Sequence, residues 1–247
     1  MRSSFTRVTI LAGVSSLALV SASMAQDAAP EAQSTENPVF VLGTIYLSAD
    51  DVDGYIASGA QVSKSVTPIA EQQQAVSVVT QQQMQDQGAQ NLGQALGYTA
   101  GTVAEPFGSD PRFNEPFMRG FRSADAQYVN GLRQSRYFGA TSYELYGMQQ
   151  VEVLRGPSSG LYGAGQPMGV INQVQKRAQS EDFAEAGLGY DSNSSPQVFF
   201  DVNRAVSDDL SVRLTGIGRD QKNQIKDITN ESGYLAGAAR WTPDEMT

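Results

Sequence analysis

The sequence predicts a mixed α+β domain followed by the first strands of an antiparallel β-sheet. Between about residue 60 and residue 180, short apolar runs alternate with capped helical segments and glycine-rich turns. From residue 181 onward, longer segments alternate apolar and polar residues, as strands with two different faces do. Glycine accounts for 24 of the 247 residues, which favours turns and strands over long helices.

Composition excludes several kinds of functional site. The chain contains no cysteine and no histidine, so a disulfide framework, a thiolate nucleophile and a Ser-His-Asp triad are excluded. The formal net charge of -9 argues against nucleic-acid binding, which requires a basic surface. An ordinary globular enzyme stays possible, although the side chains that enzymes most often use for catalysis are missing.

The first 25 residues have the pattern of a secretory signal peptide. A short N-terminal segment with two arginines precedes the apolar stretch 8–20. Ser23 and Ala25 supply small residues at the expected cleavage site. The apolar stretch is too short and too rich in serine and alanine to span a membrane well. We expect an exported protein that meets a membrane, if at all, as β-structure.

A polar leader follows the signal peptide. Residues 26–38 have the composition of a disordered linker, and they run into the isolated β-prone stretch "VFVLGTIYLSAD" at 39–50. That stretch is either an edge strand of the next domain or a docking segment that adds a strand to a partner's sheet. The residues alone leave both interpretations open.

Local signals predict the elements of the α+β domain. Thr80 and Gln83 have the spacing of a capping box, which starts a helix that ends near Gly88. Asn91 is placed to cap a second short helix, and Asn130-Gly131 is a strong tight-turn signal. Strands are predicted at 75–79, 117–122, 126–133 and 149–156, and in the run from 169 to 176.

The glycine-rich stretch after the strand at 149–156 does not have the pattern of a nucleotide site. No Gly-Lys-Ser/Thr enters a helix, and Gly163, Gly165 and Gly169 do not fit the dinucleotide-binding spacing. Glycines permit positive φ and close backbone approach. We predict a tightly wound connector.

Four segments after residue 180 predict antiparallel strands of about ten residues with unequal connections, like the start of an outer-membrane barrel. A soluble β-meander stays open as the alternative. The residues after 180 leave room for about four strands, whereas closed bacterial barrels need at least about eight, so we predict an incomplete barrel. In the third segment the two faces carry Leu210, Val212 and Leu214 against Ser211, Arg213 and Thr215.

The order of the motifs identifies a family. The chain resembles the TonB-dependent outer-membrane receptors, most closely their siderophore (ferrichrome-type) branch. "GTIYLSA" is similar to the TonB box, and the plug-domain signatures follow in the family's order and spacing. Those signatures are "RGF" (119–121), "YVNGLR" (128–133) and "VEVLRGPSSGLYGAGQPMGVINQVQKR" (151–177).

Departures from the family pattern are local. Gly43 stands where an acidic residue is more usual, Met168 where a second glycine is usual, and Ala178 where a proline often follows. The resemblance implies an α+β plug domain followed by the first strands of an antiparallel transmembrane β-barrel. Its implied boundaries are a signal peptide at 1–25, a flexible periplasmic leader at 26–58 with the TonB box at 43–49, the plug domain at 59–180 and the start of the barrel at 181–247.

The resemblance also implies a function. A receptor of this kind takes up a ferric-siderophore across the outer membrane, with energy delivered through TonB from the inner membrane. Iron arrives already chelated, so no protein ligands to the metal and no cofactor are expected. The resemblance likewise implies that the protein is not an enzyme. The alternatives are the same machinery with another cargo (cobalamin, haem or a glycan) and a secreted β-rich binding or adhesion module.

Three sets of site residues follow from the resemblance. Arg119 and Arg155, which have apolar neighbours and are expected to be partly buried, match the arginines that lock the plug to the barrel. The segments 104–116 and 133–143 are expected to meet the ligand, and their aromatic and arginine content suits an anionic or aromatic chelate. The TonB-contacting residues are Gly43, Thr44, Ile45, Tyr46, Leu47, Ser48 and Ala49. The ligand-contacting residues are Phe107, Arg112, Phe113, Arg133, Arg136, Tyr137 and Phe138.

Overall fold

The structure is a computed structural model that describes residues 52–243, apart from residues 58, 66, 109, 111, 113, 135–141, 164, 166, 192 and 223–227. The expected signal peptide, the leader up to residue 51 and the segment 43–49 lie outside the described residues.

The described part of the α+β domain contains ten strands and three short helices, with 3-10 turns at Gln61–Ser63, Ile69–Glu71, Ala124–Ala126 and Leu145–Gly147. The strands are β1 (Val52–Asp53), β2 (Ile56–Ala57), β3 (Ala75–Thr80), β4 (Thr102–Val103), β5 (Phe117–Met118), β6 (Phe121–Arg122), β7 (Gln127–Val129), β8 (Leu132–Arg133), β9 (Met148–Arg155) and β10 (Gly169–Gln175). The helices are α1 (Gln81–Asp86), α2 (Leu92–Ala95) and α3 (Ser159–Tyr162).

A five-stranded sheet in the order β3, β9, β10, β7, β8 forms the centre of this domain. Strands β7 and β10 are parallel and the other neighbours are antiparallel. Apolar side chains cover both faces of β9 and β10, so these strands are buried along nearly their whole length. Side chains on one face of the two strands belong to an apolar cluster that includes Met148, Met168 and Ile171. Side chains on the other face belong to a second cluster that includes Val62 and Leu154.

Both predicted helix caps are confirmed. The side-chain oxygen of Thr80 accepts a hydrogen bond from the Gln83 N–H at 3.2 Å, and that of Asn91 accepts one from the Gln94 N–H at 2.9 Å. Each bond satisfies a donor that the first helical turn leaves without an intrahelical partner. Gly88 follows α1 with a φ of +63°, as expected of a helix-terminating glycine.

The single strand predicted at 117–122 is wrong. Strands β5 and β6 form a hairpin whose turn is Arg119-Gly120, with φ values of 52° and 82°. The predicted Asn130-Gly131 turn has nearly the same values, 50° and 79°. Asparagine followed by glycine is a known signal for two positive φ angles, whereas arginine adopts positive φ rarely. The Arg-Gly turn therefore carries no readable sequence signal.

The glycine-rich stretch is a tight connector, as predicted, but it also contains the unpredicted helix α3. The Tyr162 hydroxyl donates to the Val62 carbonyl at 2.7 Å, and the Lys64 ammonium donates to the Leu161 carbonyl at 2.6 Å. These bonds tie the connector to the first 3-10 turn. At Gly169 the φ is +124° and a Cβ would lie 1.9 Å from the Leu154 carbonyl oxygen, so only glycine fits.

The four predicted strands after residue 180 are confirmed and form one antiparallel sheet in sequence order. We call it the long-strand sheet. It consists of β11 (Phe183–Tyr190), β12 (Pro196–Ala205), β13 (Leu210–Lys222) and β14 (Thr229–Trp241). No helix in the described part of the chain is long and apolar enough to cross a membrane.

The long-strand sheet buries its polar face and exposes its apolar face. Leu188 is 86% exposed and Leu235 is 71% exposed, and Val198, Val202, Val212 and Leu214 face outward with them. In a water-soluble protein, a sheet with one face on the core and one face in solvent normally buries its apolar side chains and exposes its polar ones. The buried polar face consists of Asp201, Asn203, Ser211, Arg213 and Thr215.

The side chain of Glu152, on β9, is completely buried in the α+β domain. Its carboxylate accepts hydrogen bonds from the backbone N–H groups of Gln61 and Val62, both at 2.7 Å. Side-chain amides complete the set, from Gln150 at 2.6 Å and Asn172 at 2.9 Å. Because a buried carboxylate is costly without such donors, the four bonds fasten the first 3-10 turn to the middle of the sheet.

We expect Glu152→Gln to cost about 1–3 kcal/mol of stability and to speed hydrogen exchange at Gln61 and Val62. The new amide keeps one acceptor oxygen but turns its NH₂ group toward a backbone donor. Hydrogen exchange of the full-length protein, followed by mass spectrometry, measures the effect. Glu71→Gln, on an exposed 3-10 turn, is the matched control. If the two variants exchange alike in the first 3-10 turn, Glu152 does not fasten it.

Candidate functional site

A buried ion cluster joins the long-strand sheet to the α+β domain. The Asp201 carboxylate on β12 accepts from the Lys176 ammonium at 2.7 Å and from Arg213 Nη2 and Nε at 2.7 and 2.8 Å. Thr215 Oγ1 donates to the same carboxylate at 3.0 Å. The side chains of Lys176, Asp201 and Arg213 are 2%, 1% and 6% exposed. We call these three residues the junction cluster.

Aromatic rings flank both cations of the junction cluster. Lys176 Nζ lies 3.9 Å from the ring centroid of Tyr146, and the Arg213 guanidinium carbon lies 4.9 Å from that of Phe183, so cation–π attraction adds to the ion pairs. Burial lowers the pKa of Lys176, while Asp201 acts against that shift. Burial also raises the pKa of the Tyr146 hydroxyl. Since two cations share one carboxylate, the cluster depends on Asp201.

The sequence interpretation missed the junction cluster. Alternation places Asp201 and Arg213 on the polar faces of neighbouring predicted strands, and two opposite charges on such faces are a usable signal. Lys176 directly follows β10, and only the three-dimensional fold brings it to Asp201.

Two further contacts hold the two sheets together. Arg219 on β13 donates to the Glu144 carboxylate at 2.7 Å, with both side chains largely buried. The Tyr234 ring on β14 lies directly over Gly147, where a Cβ would be 2.3 Å from the ring. A side chain at position 147 would therefore push the strand away from the domain.

A cavity of about 440 Å³ opens between the α+β domain and the long-strand sheet, next to the end of β13 and the start of β14. Residues from both predicted ligand-facing segments, 104–116 and 133–143, contribute to its lining. Within the described residues, no group of three or more aspartate, glutamate, histidine or cysteine side chains is arranged to hold a metal ion. The acidic residues that line the cavity are Glu105, Asp110, Glu115 and Glu144.

Phe107 and Arg112, two of the residues predicted to contact a ligand, do not line the cavity. Phe107 is 48% exposed, and its ring packs edge to face against the ring of Phe117, with 5.6 Å between the two centroids. The guanidinium carbon of Arg122 lies 5.6 Å from the centroid of the Phe107 ring. Arg112 is exposed and paired with Asp110 at 2.6 Å. Ligand contact by these residues stays a prediction.

Arg133, the other predicted ligand residue that the structure describes, lies on β8. Its Nε donates to the Asp125 carbonyl at 3.0 Å, and it is absent from the cavity lining. The remaining members of the predicted set lie outside the described residues. They are Phe113, Arg136, Tyr137 and Phe138.

Arg119 and Arg155 converge on one short segment of the α+β domain. The Arg119 N–H donates to the Gly101 carbonyl at 2.7 Å, and Arg155 Nη1 donates to the Ala100 carbonyl at 3.3 Å. Arg155 is half-buried, as expected. Arg119 is exposed because it occupies a hairpin tip, so the expectation of partial burial is wrong for Arg119. Within the described ranges, no carboxylate forms an ion pair with either arginine.

Residues 68–170 match the family model described as the TonB-dependent receptor plug domain. This part of the chain is a plug domain of the TonB-dependent receptors. The chain is 32% identical over 200 residues to the ferrioxamine receptor of Yersinia enterocolitica, covering 78% of this chain and 28% of that protein. It is 33% identical over 192 residues to the ferrichrome outer membrane transporter/phage receptor of Escherichia coli K12, covering 75% and 26%.

Solved structures show the same architecture. The crystal structure of the siderophore receptor PiuA from Acinetobacter baumannii matches 77% of this chain and 27% of its own, with a TM-score of 0.69 and 26% identity. The chain thus spans between 26% and 28% of the length of these three proteins. The α+β domain is the plug domain, and the long-strand sheet belongs to the strands of the receptor fold.

We expect Asp201→Asn in the full-length receptor to cost about 3–5 kcal/mol, because it leaves Lys176 and Arg213 as unpaired buried cations. Thermal unfolding and hydrogen exchange of the plug domain measure the loss. Asp182→Asn removes a carboxylate from the exposed pair with Arg204 and should cost less than about 1 kcal/mol. Equal effects of the two substitutions would show that the junction cluster does not hold the plug domain.

Proposed function

We propose that the chain is the N-terminal part of an outer-membrane receptor that takes up a ferric-siderophore, with energy from TonB. The observation that carries the proposal is the long-strand sheet, which bonds its polar face to the plug domain and turns an apolar face outward. That arrangement suits a barrel wall that has a filled interior and lipid outside. The relatives' names point to iron chelates as cargo.

The remaining strands of the barrel would lie outside this sequence. Within the described residues β11 and β14 each have one unpaired edge, and open edges are not tolerated in the hydrocarbon region of a membrane. The share of the relatives' length that the chain spans is consistent with a barrel completed by further strands. The N-terminal signal pattern at 1–25 supports export to that location.

Arg119 and Arg155 form no ion pair within the described residues, and this supports the proposed plug-to-barrel lock. Arg119 occupies the left-handed region at a hairpin tip, at a steric cost of roughly 1–2 kcal/mol, and backbone strain of this kind concentrates at functional positions. Arg155, which bonds the same short segment as Arg119, also lacks a carboxylate partner within the described residues. A planar guanidinium can bond both oxygens of one carboxylate. We propose that glutamates on the rest of the barrel wall supply those oxygens.

Uptake of ferric chelates by cells tests the function itself. Cells that lack their own receptors and express the full-length protein should accumulate ferric chelate only while TonB is active. A panel of ferrioxamine, ferrichrome and ferric catecholates covers the chelates that the relatives' names mention. If no chelate enters in a TonB-dependent manner, while haem, cobalamin or a glycan does, the cargo assignment is wrong.

A proline at Ile45 tests the proposed energy-coupling segment 43–49. Ile45→Pro removes a backbone donor from a segment expected to pair as a strand with TonB. Uptake should be abolished while the chelate Kd stays unchanged. Ile45→Val, which keeps the donor, is the matched control. Normal transport by the proline variant would rule out strand pairing at this segment.

We expect Arg119→Ala and Arg155→Ala to loosen the plug domain and impair gated transport without removing a ligand contact. In the complete receptor the proposed glutamates would cover both arginines, and the loss of one partner of such a buried pair would cost about 3–5 kcal/mol. Hydrogen exchange of the plug domain and chelate affinity are measured together, with Arg204→Ala, an exposed arginine on β12, as control. Unchanged plug protection with a large loss of affinity would make these arginines ligand residues instead.

A further inference from the structure

A smaller pocket, of about 240 Å³, lies beside the junction cluster. Its lining comes from the segment that follows β10, from the inward faces of β13 and β14, and from Asn130 and Gly147 of the plug domain. It lies toward the start of β13 and the end of β14, whereas the 440 Å³ cavity lies toward the opposite ends of these strands. We call it the junction pocket, because it adjoins the contact that joins the two sheets.

Cations predominate in the lining of the junction pocket. Lys176, Arg177 and Arg213 line it, and among the described residues no aspartate or glutamate does. Asp201 bonds Lys176 and Arg213 without lining the pocket, and it neutralises one of the three positive charges. Glu185, directly opposite Asp201 on β11, is exposed and lines a different cavity. The junction pocket therefore carries a net positive charge.

The two buried cations also have more N–H donors than they have acceptors. The Lys176 ammonium donates to Asp201 and lies over the Tyr146 ring, with Nζ 3.9 Å from the centroid. Arg213 donates twice to Asp201 and once to the Arg177 carbonyl, at 2.9 Å. Lysine and arginine carry further N–H donors, and the described residues supply no other acceptor for them. Because an unbonded donor is costly on a buried side chain, an acceptor-rich group would be stabilised here.

Small side chains leave the space open on the side of β14. Ala236 and Ala238 line the pocket, in register with Thr215 and Arg213 of β13. An alanine side chain supplies neither an acceptor nor a charge, so this part of the wall cannot balance the cations. A group that entered the space would meet donors from β13 and from the segment after β10 at the same time.

We propose that the junction pocket binds a small oxyanion of the phosphate or sulfate class. Such an anion offers several charged acceptor oxygens, which match both the surplus of donors and the surplus of positive charge. Arginine suits this role because its planar fork bonds two oxygens of one oxyanion. An oxyanion bonded to Arg177 after β10 and to Arg213 on β13 would tie the plug domain to the long-strand sheet. The site acts on the junction and is independent of the cargo.

Titration of the full-length receptor with inorganic phosphate, at constant ionic strength, tests the site. We expect the unfolding temperature to rise and to follow the saturation curve of one site on the native state, whereas exclusion of phosphate from the protein surface stabilises without saturation. Arg177→Gln removes a lining charge that does not bond Asp201, and it should weaken the apparent phosphate Kd by at least about fivefold. Arg204→Gln removes an exposed arginine from β12 and should leave that Kd unchanged, so it is the matched control.

A carboxylate placed in the pocket by Ala236→Glu provides a second test. In phosphate-free buffer this variant should unfold at a higher temperature than Ala236→Gln, its uncharged control of similar size, and it should lose the phosphate response because the carboxylate takes the place of the anion. The absence of a saturable phosphate response in the unsubstituted receptor, or an equal response in Arg177→Gln, overturns the proposal. Lower stability of Ala236→Glu than of Ala236→Gln also overturns it, since a carboxylate from elsewhere in the full-length chain would then already fill the pocket.

Discussion

The shared carboxylate of Asp201 is the interaction on which the arrangement of the two sheets depends. It lies on the long-strand sheet, yet it bonds the ammonium of Lys176 from the plug domain as well as Arg213 of its own sheet. Isolated buried charges are very costly, so the three side chains are stable only when the two sheets are together. The ion pairs therefore set position and orientation as much as they set stability.

The same constraint explains the distribution of polarity. A sheet that must place Asp201, Arg213 and Thr215 against the plug domain has only its other face for apolar side chains, and that face carries Leu188 and Leu235. In water such a face is a liability for aggregation. Against lipid it is what a membrane-spanning strand needs, and the polar interior then accommodates a plug domain held by hydrogen bonds and ion pairs.

Much of the fold could be predicted from local sequence patterns. The alternation of apolar and polar residues predicted the four long strands and which side chains share a face. The helix caps at Thr80 and Asn91 were predictable because an N-cap side-chain oxygen accepts a hydrogen bond from a backbone N–H two or three residues further along. The Arg119-Gly120 turn was not readable, because arginine seldom takes positive φ. The junction cluster and the cavity between the plug domain and the long-strand sheet depend on long-range register and packing, which local patterns do not contain. The residues alone left a soluble β-rich module and a membrane receptor both possible, and the resemblance to a receptor family favoured the receptor.

Adjacent positions on β14 offer the most direct test of the claim that the long-strand sheet is a barrel wall. Leu235 points outward and Ala236 points inward, and this chain has no cysteine of its own. Spin labels attached to Leu235→Cys and Ala236→Cys in the full-length receptor, reconstituted in lipid vesicles, report accessibility to oxygen and to a water-soluble nickel complex. We expect the label at 235 to be accessible to oxygen and shielded from nickel, and the label at 236 to be shielded from oxygen. Labels at both positions that are open to nickel would show a sheet that lies in water, and the barrel assignment would be wrong.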